Sequence, residues 1–114
     1  MKLSALALII PIAAMAGQPL RAEQRGDLGR GLALAREVCS ECHAIQAQQL
    51  QSPQPRAPTF PALATTPGMT ATALTVALTT PHAGMPMFRL SPEQRDGIIA
   101  YILSLKQSAS PPGK

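Results

Sequence analysis

The chain has 114 residues, with twelve prolines, only three aromatic residues, no tryptophan and a formal charge of +4 at pH 7. That length allows one small domain, near the size at which an apolar core alone is marginal, and a core so poor in aromatics calls for added apolar bulk. The ten Lys and Arg are scattered rather than clustered, so there is no case for a nucleic-acid-binding surface.

Met1-Lys2 and an apolar run from Leu3 to Ala16, interrupted by Pro11, have the basic start and short apolar centre of a secretory signal. The run is too short and too broken for a membrane anchor, although an uncleaved anchor is the alternative. Ala14-Met15-Ala16 and Leu20-Arg21-Ala22 both suit cleavage. Ala22 is preferred, because a soluble helix starts soon after it. Residues 1–22 are then the signal peptide and 23–114 the mature domain, which predicts export to the periplasm. Removing 22 residues from 114 leaves 92, with eight Lys and Arg against six Asp and Glu.

Gly26-Asp27 opens the first predicted helix, with Asp27 as its N-cap. Leu28, Leu32, Ala35 and Cys39 follow at i, i+4, i+7 and i+11, widened by Gly31, Leu34 and Val38 into an apolar stripe. Gly31 in mid-helix suggests close approach by another backbone.

The helix leads into Cys39-Ser40-Glu41-Cys42-His43, the C-x-x-C-H signature of covalent c-type haem attachment. Thiols at i and i+3 lie on one side of a helical turn and reach two vinyl groups along one porphyrin edge. The adjacent histidine brings its imidazole beneath the iron as proximal ligand. The competing uses of C-x-x-C fit less well. A zinc site needs four ligands, and the chain has two Cys and two His. A thioredoxin-like dithiol needs a βαβ context that is not visible, and a plain disulfide does not call for the histidine.

Gln46 to Pro58 is rich in Gln and Pro and reads as an irregular loop, and Pro67-Gly68 as a turn. Thr70 caps a predicted helix over 71–79, stopped by Pro81, although its Thr and Val content leaves a strand open. Pro81 to Phe88 is an apolar loop holding His82, Gly84, Met85 and Met87. Ser91, Pro92 and Gln94 form a capping box with Pro at N1. Ile98, Tyr101, Ile102 and Leu105 make the buried stripe of the last helix, and 108–114 is a frayed tail.

In this order the motifs resemble those of the class I c-type cytochromes, specifically the small bacterial monohaem kind, over nearly all of Gly26 to Leu105. The likeness rests on Gly26-Asp27 with Gly31, Cys39-x-x-Cys42-His43, Ala57-Pro58-x-Phe60, Met85-Pro86-x-Phe88 and Ala100-Tyr101. It implies an all-α cytochrome c fold of three to four short helices around one covalently bound haem c, with the N- and C-terminal helices crossing. Gly31 would then meet the last helix near Ile98 and Tyr101. The family often has an aromatic residue at the position of Ala35, so a less filled helix contact is expected here.

The resemblance also implies the site. Cys39 and Cys42 carry the haem thioethers, and His43 is the proximal ligand. The carbonyl of Pro58, with Pro55 as runner-up, accepts the Nδ1–H of His43 and fixes its tautomer. Phe60 packs against the haem. Met85 is the expected distal ligand, with Met87 and His82 as alternatives, and Met69 reads as a filler of the core. Two haem propionates would cancel the mature chain's small positive charge.

The implied function is one-electron transfer between redox proteins by a His/Met-ligated iron, without catalysis. The implied partners are an oxidase, a quinol–cytochrome c reductase or a periplasmic dehydrogenase, with no stable membrane insertion, the chain acting as a monomer or within a complex. The alternatives are a subunit of one dehydrogenase, and a haem sensor or enzyme with a labile sixth position. Glu37 and Glu41, one turn apart, read as a solvated helix face.

Overall fold

The structure is a computed structural model that describes the backbone of residues 19–109 and the side chains of 27–109. Most of the expected signal segment, residues 1–18, lies outside the described residues, as does the end of the tail, 110–114. Four α-helices follow in order: α1 Pro19–Leu34, α2 Phe60–Thr65, α3 Ala71–Thr79 and α4 Pro92–Ser108. One turn of π-helix, Ala35–Cys39, continues α1. No strand forms among the described residues, and an isolated bridge pairs His82 with Met85. The all-α architecture is as expected. No helix among the described residues is long and apolar enough to cross a membrane.

α4 is the centre of the fold, and α1, α2 and α3 all pack on it. Its expected stripe, Ile98, Tyr101, Ile102 and Leu105, is buried, together with Gly97 and Ile99. Ser91 accepts from the Gln94 amide at 3.2 Å and the Gln94 side chain accepts from the Ser91 amide at 2.9 Å, which satisfies two donors the helix leaves open. Glu93 sits in the same first turn. Its own backbone amide and the Ser91 hydroxyl hold its carboxyl below the usual carboxylate range. α3 has the expected bounds, and the Thr70 hydroxyl accepts from Ala73 N.

One local expectation is corrected. α1 is already helical at Pro19, the first described residue and seven before the expected opening, so Asp27 lies inside the helix and pairs with Arg30 instead of capping. Ala22, Glu23, Gln24 and Arg25 are good helix formers, and nothing among them stops a helix before Gly26. The helix also runs across the expected boundary at Ala22. α2 is an element that chain periodicity does not announce. It is only six residues long, started by the Thr59 hydroxyl accepting from Ala62 N, with proline in its first turn.

The helix crossing lies near Ile98 and Tyr101, as expected. Gly31 on α1 faces Gly97, the neighbour of Ile98 on α4, with Tyr101 beside it. Neither glycine has a side chain, so the two backbones meet directly. Ala35 is fully buried next to this crossing.

The buried positions of α1 and its extension step by four: Gly31, Ala35, Cys39. An α-helix with 3.6 residues per turn advances such a series by about 40° per step. The wider turn, with Ser40 N bonded to Ala35 O at 2.9 Å, reduces that drift and keeps Cys39 on the core side. π-turns of this kind recur at functional sites.

Tyr101 ties α4 to the segment after the cysteines. Its hydroxyl donates to Ile45 O at 2.7 Å, in a buried position. Tyr101→Phe leaves that carbonyl without its partner, at a cost of about 1–3 kcal/mol. The expected result is a lower midpoint in urea with an unchanged m-value; an unchanged midpoint would show that the bond contributes nothing.

Candidate cofactor site

Cys39 to His43 forms one tight turn. The Cys39 carbonyl accepts from Cys42 N at 3.1 Å and from His43 N at 2.9 Å. Both cysteines are free thiols. Burial pushes the Cys39 thiol up to about 11, so it is neutral at physiological pH.

The loop after the turn has no regular structure, yet it is pinned at every few residues. The Gln49 side-chain carbonyl accepts from the amides of Ile45 and Gln46 at 2.9 and 3.0 Å. The Ser52 hydroxyl accepts from Ala44 N at 3.0 Å. Gln54 N donates to Cys42 O and Phe60 N to Ala44 O. These bonds fold the proline-rich segment back around the C-x-x-C-H turn.

That return places the Pro58 carbonyl 2.7 Å from His43 Nδ1. A carbonyl only accepts, so in the neutral ring Nδ1 carries the proton and Nε2 keeps the lone pair. Such a bond orients an imidazole for metal ligation and raises its basicity. The Phe60 ring is buried with its centroid 5.6 Å from that of His43 and 6.4 Å from that of Tyr101, within the range of favourable aromatic pairs.

The turn, loop and helices enclose one cavity of about 540 Å³. Cys39, Cys42, His43, Pro58 and Phe60 line it, with Met69, Leu74, His82, Met85, Ile98 and Ile102. Of the three residues considered as distal ligand, Met85 and His82 reach the cavity. Met87 does not line it and is half exposed. Met69 is both a cavity wall and a core contact.

His82 and Met85 sit at the two ends of one turn. Met85 N donates to His82 O at 3.4 Å, and Gly84 between them has φ +84°. That backbone is the third position of a type II turn, where glycine is strongly favoured. His82 Nδ1 lies 3.2 Å from the Thr80 carbonyl, so its proton is placed as in His43.

The donor set suits a covalently held haem. Two thiols, an imidazole with a bare Nε2 and a thioether share a largely apolar cavity of the size range that cofactors occupy. Gln49 and Ser52, which pin the loop that delivers Pro58, escaped sequence reading. A side chain that caps an irregular backbone leaves no periodic signal.

No curated protein and no solved structure matches the chain. The family model described as cytochrome c oxidase, cbb3-type, subunit III matches residues 26–102, from the first helix through the cysteine turn to α4. Membership of that c-type cytochrome family implies a covalently bound haem c in the cavity and a role in carrying electrons. The chain thus belongs to the cbb3-type cytochrome c oxidase subunit III family of c-type cytochromes.

Proposed function

We propose that the protein is a periplasmic monohaem cytochrome c, cut from a signal peptide at Ala22, which passes single electrons between redox proteins. The observation that carries this is one cavity lined by both thiols, His43 and Met85. When bound, the haem supplies an iron that alternates between ferric and ferrous states.

The chain's residues account for the rest. Cys39 and Cys42 hold the group by thioether bonds. His43 keeps its proton at Nδ1 against Pro58 and offers Nε2 to the iron. Met85 offers a soft sulfur, which favours the ferrous state relative to a second histidine. Phe60, Leu74, Ile98 and Ile102 exclude water from the cavity, which limits rearrangement as the charge changes.

A membrane oxidase is the partner favoured by the matched family, whose description names an oxidase subunit. Lasting association as a subunit, of an oxidase or of a periplasmic dehydrogenase, is the second reading, and the same description supports it.

The test is the visible spectrum of the haem-loaded protein, oxidised and reduced, with and without carbon monoxide. Low-spin spectra in both states, a methionine-to-ferric-iron band and indifference to carbon monoxide are expected. A high-spin ferrous form that binds carbon monoxide would move the function to a sensor or enzyme with a labile sixth position. A chain that carries no covalent haem would overturn the proposal.

A further inference from the structure

His82 and Met85 stand directly opposite each other in an isolated antiparallel bridge. Opposed residues of such a pair carry their side chains on the same face, with Cβ atoms about 4.5–5.5 Å apart. Both residues line the cavity. One tight turn therefore brings a thioether and an imidazole to the same space, where the carrier function uses only the thioether.

The imidazole is prepared for a metal. Its Nδ1 lies 3.2 Å from the Thr80 carbonyl. A carbonyl only accepts, so the neutral ring holds its proton there and keeps the lone pair at Nε2. His43 has the same arrangement against Pro58. The chain has two histidines, so His82 is the one imidazole left once His43 is used.

The two donors differ in depth, and the segment that carries them is lightly tied. Met85 is half-buried, whereas His82 is exposed at the cavity rim. Among the described residues, two backbone bonds hold 81–90: Met85 N to His82 O at 3.4 Å and Leu90 N to Phe88 O at 3.2 Å. The first is long for such a bond. A largely exposed segment with so few bonds opens locally at low cost.

We propose that His82 is a reserve ligand of the ferric iron: when the Met85 sulfur lets go, the turn carries the imidazole into the position that the sulfur leaves. The inference rests on the haem-carrier function proposed above, with His43 and Met85 as the resting ligands. Two histidines favour ferric iron relative to histidine with methionine. The exchange therefore closes the oxidised protein against small ligands and lowers its potential. On reduction that preference is lost, and the hold of His82 weakens.

The test is electron paramagnetic resonance of the haem-loaded ferric variants. Met85→Ala should be low-spin, with the signal of two-imidazole ligation, and Met85→Ala/His82→Ala should be high-spin. Added imidazole should return the double variant to the low-spin form, which separates loss of the ligand from loss of the fold. Azide reads the same exchange by competition. Its apparent affinity for ferric Met85→Ala should be about tenfold or more weaker than for the double variant, because a position that is open only part of the time binds in proportion to that fraction. His82→Ala alone keeps Met85, so its methionine band should persist.

A high-spin ferric Met85→Ala would overturn the inference. So would a double variant that stays low-spin, since another group then holds the iron, and so would a low-spin signal that fades on dilution, since the imidazole then comes from a second copy. Loss of the methionine band in His82→Ala alone would make His82 a resting ligand and end its role as a reserve. The two levels of failure are distinct. Absence of covalent haem, or a methionine band that survives Met85→Ala, defeats the proposed site and the reserve ligand with it. Covalent haem with a high-spin ferric Met85→Ala defeats the reserve ligand alone.

Discussion

Gly31→Ala is expected to destabilise the fold by about 3 kcal/mol or more, at the upper end of overpacking costs. A Cβ built at Gly31 runs into the Gly97 carbonyl group, 2.5 Å from its carbon, and 3.0 Å from Tyr101 Cβ. The obstacle is backbone inside α4, which has no rotamer to change. Relief requires α1 and α4 to separate, and with them the packing of Ala35, Ile98 and Tyr101. For a domain of this size the change corresponds to a fall in Tm of about 12 °C or more.

Gly97→Ala is the matched control. Its added Cβ meets Gly31 N, Asp27 O and Gly31 Cα at 3.4–3.5 Å, ordinary contact distances. Alanine favours a helix over glycine by about 1 kcal/mol at either site, so the control should stay within about 1 kcal/mol of the parent. Thermal unfolding of the two variants side by side decides the matter. Equal losses, or a larger loss at Gly97, would show that the crossing is not closed by backbone contact at Gly31.

Met85→Ala is expected to change the redox and ligand-binding behaviour most, with little effect on the fold, since Met85 is only half-buried and lies in a loop. Loss of the thioether opens the sixth position. The ferrous form should become high-spin and bind carbon monoxide. The potential should fall by on the order of a tenth of a volt or more, a fraction of the roughly 0.8 V that axial ligands span. Met87→Ala should retain the parent spectrum, because Met87 does not line the cavity.

His82 adds a second stage to that experiment. It shares the turn with Met85 and lines the same cavity. If Met85→Ala stays low-spin and Met85→Ala/His82→Ala does not, an imidazole has taken the vacant position. If Met87→Ala alone loses the methionine band, Met87 is the ligand and the assignment to Met85 is wrong.

The residues legible in advance share a property: their signals are local. Thr70 and the Ser91, Pro92, Gln94 box mark helix starts because a cap bonds an amide two or three residues away. The stripe of α4 is a repeat along one helix. C-x-x-C-H places its thiols within one turn, so spacing alone carries the chemistry. Asp27 shows the limit of the same logic: a good capping residue does not cap where helix formers precede it.

What only the tertiary structure decided involves partners far apart in sequence or deviations from regular geometry. Gly97 reads as an unremarkable helix glycine until α1 lies across it. The π-turn depends on Cys39 being held on the core side, which no propensity scale describes. Pro58, rather than Pro55, stands beside His43 because Gln49, Ser52 and the amides of Gln54 and Phe60 set the loop's path. The sequence by itself thus determined the starts of α3 and α4, the apolar stripe of α4 and the cysteine turn, since those follow from interactions within a few residues. The crossing at Gly31, the path of the loop and the reach of Met85 and His82 into one cavity waited on packing, since backbone contact and side-chain caps across the chain leave no period to read.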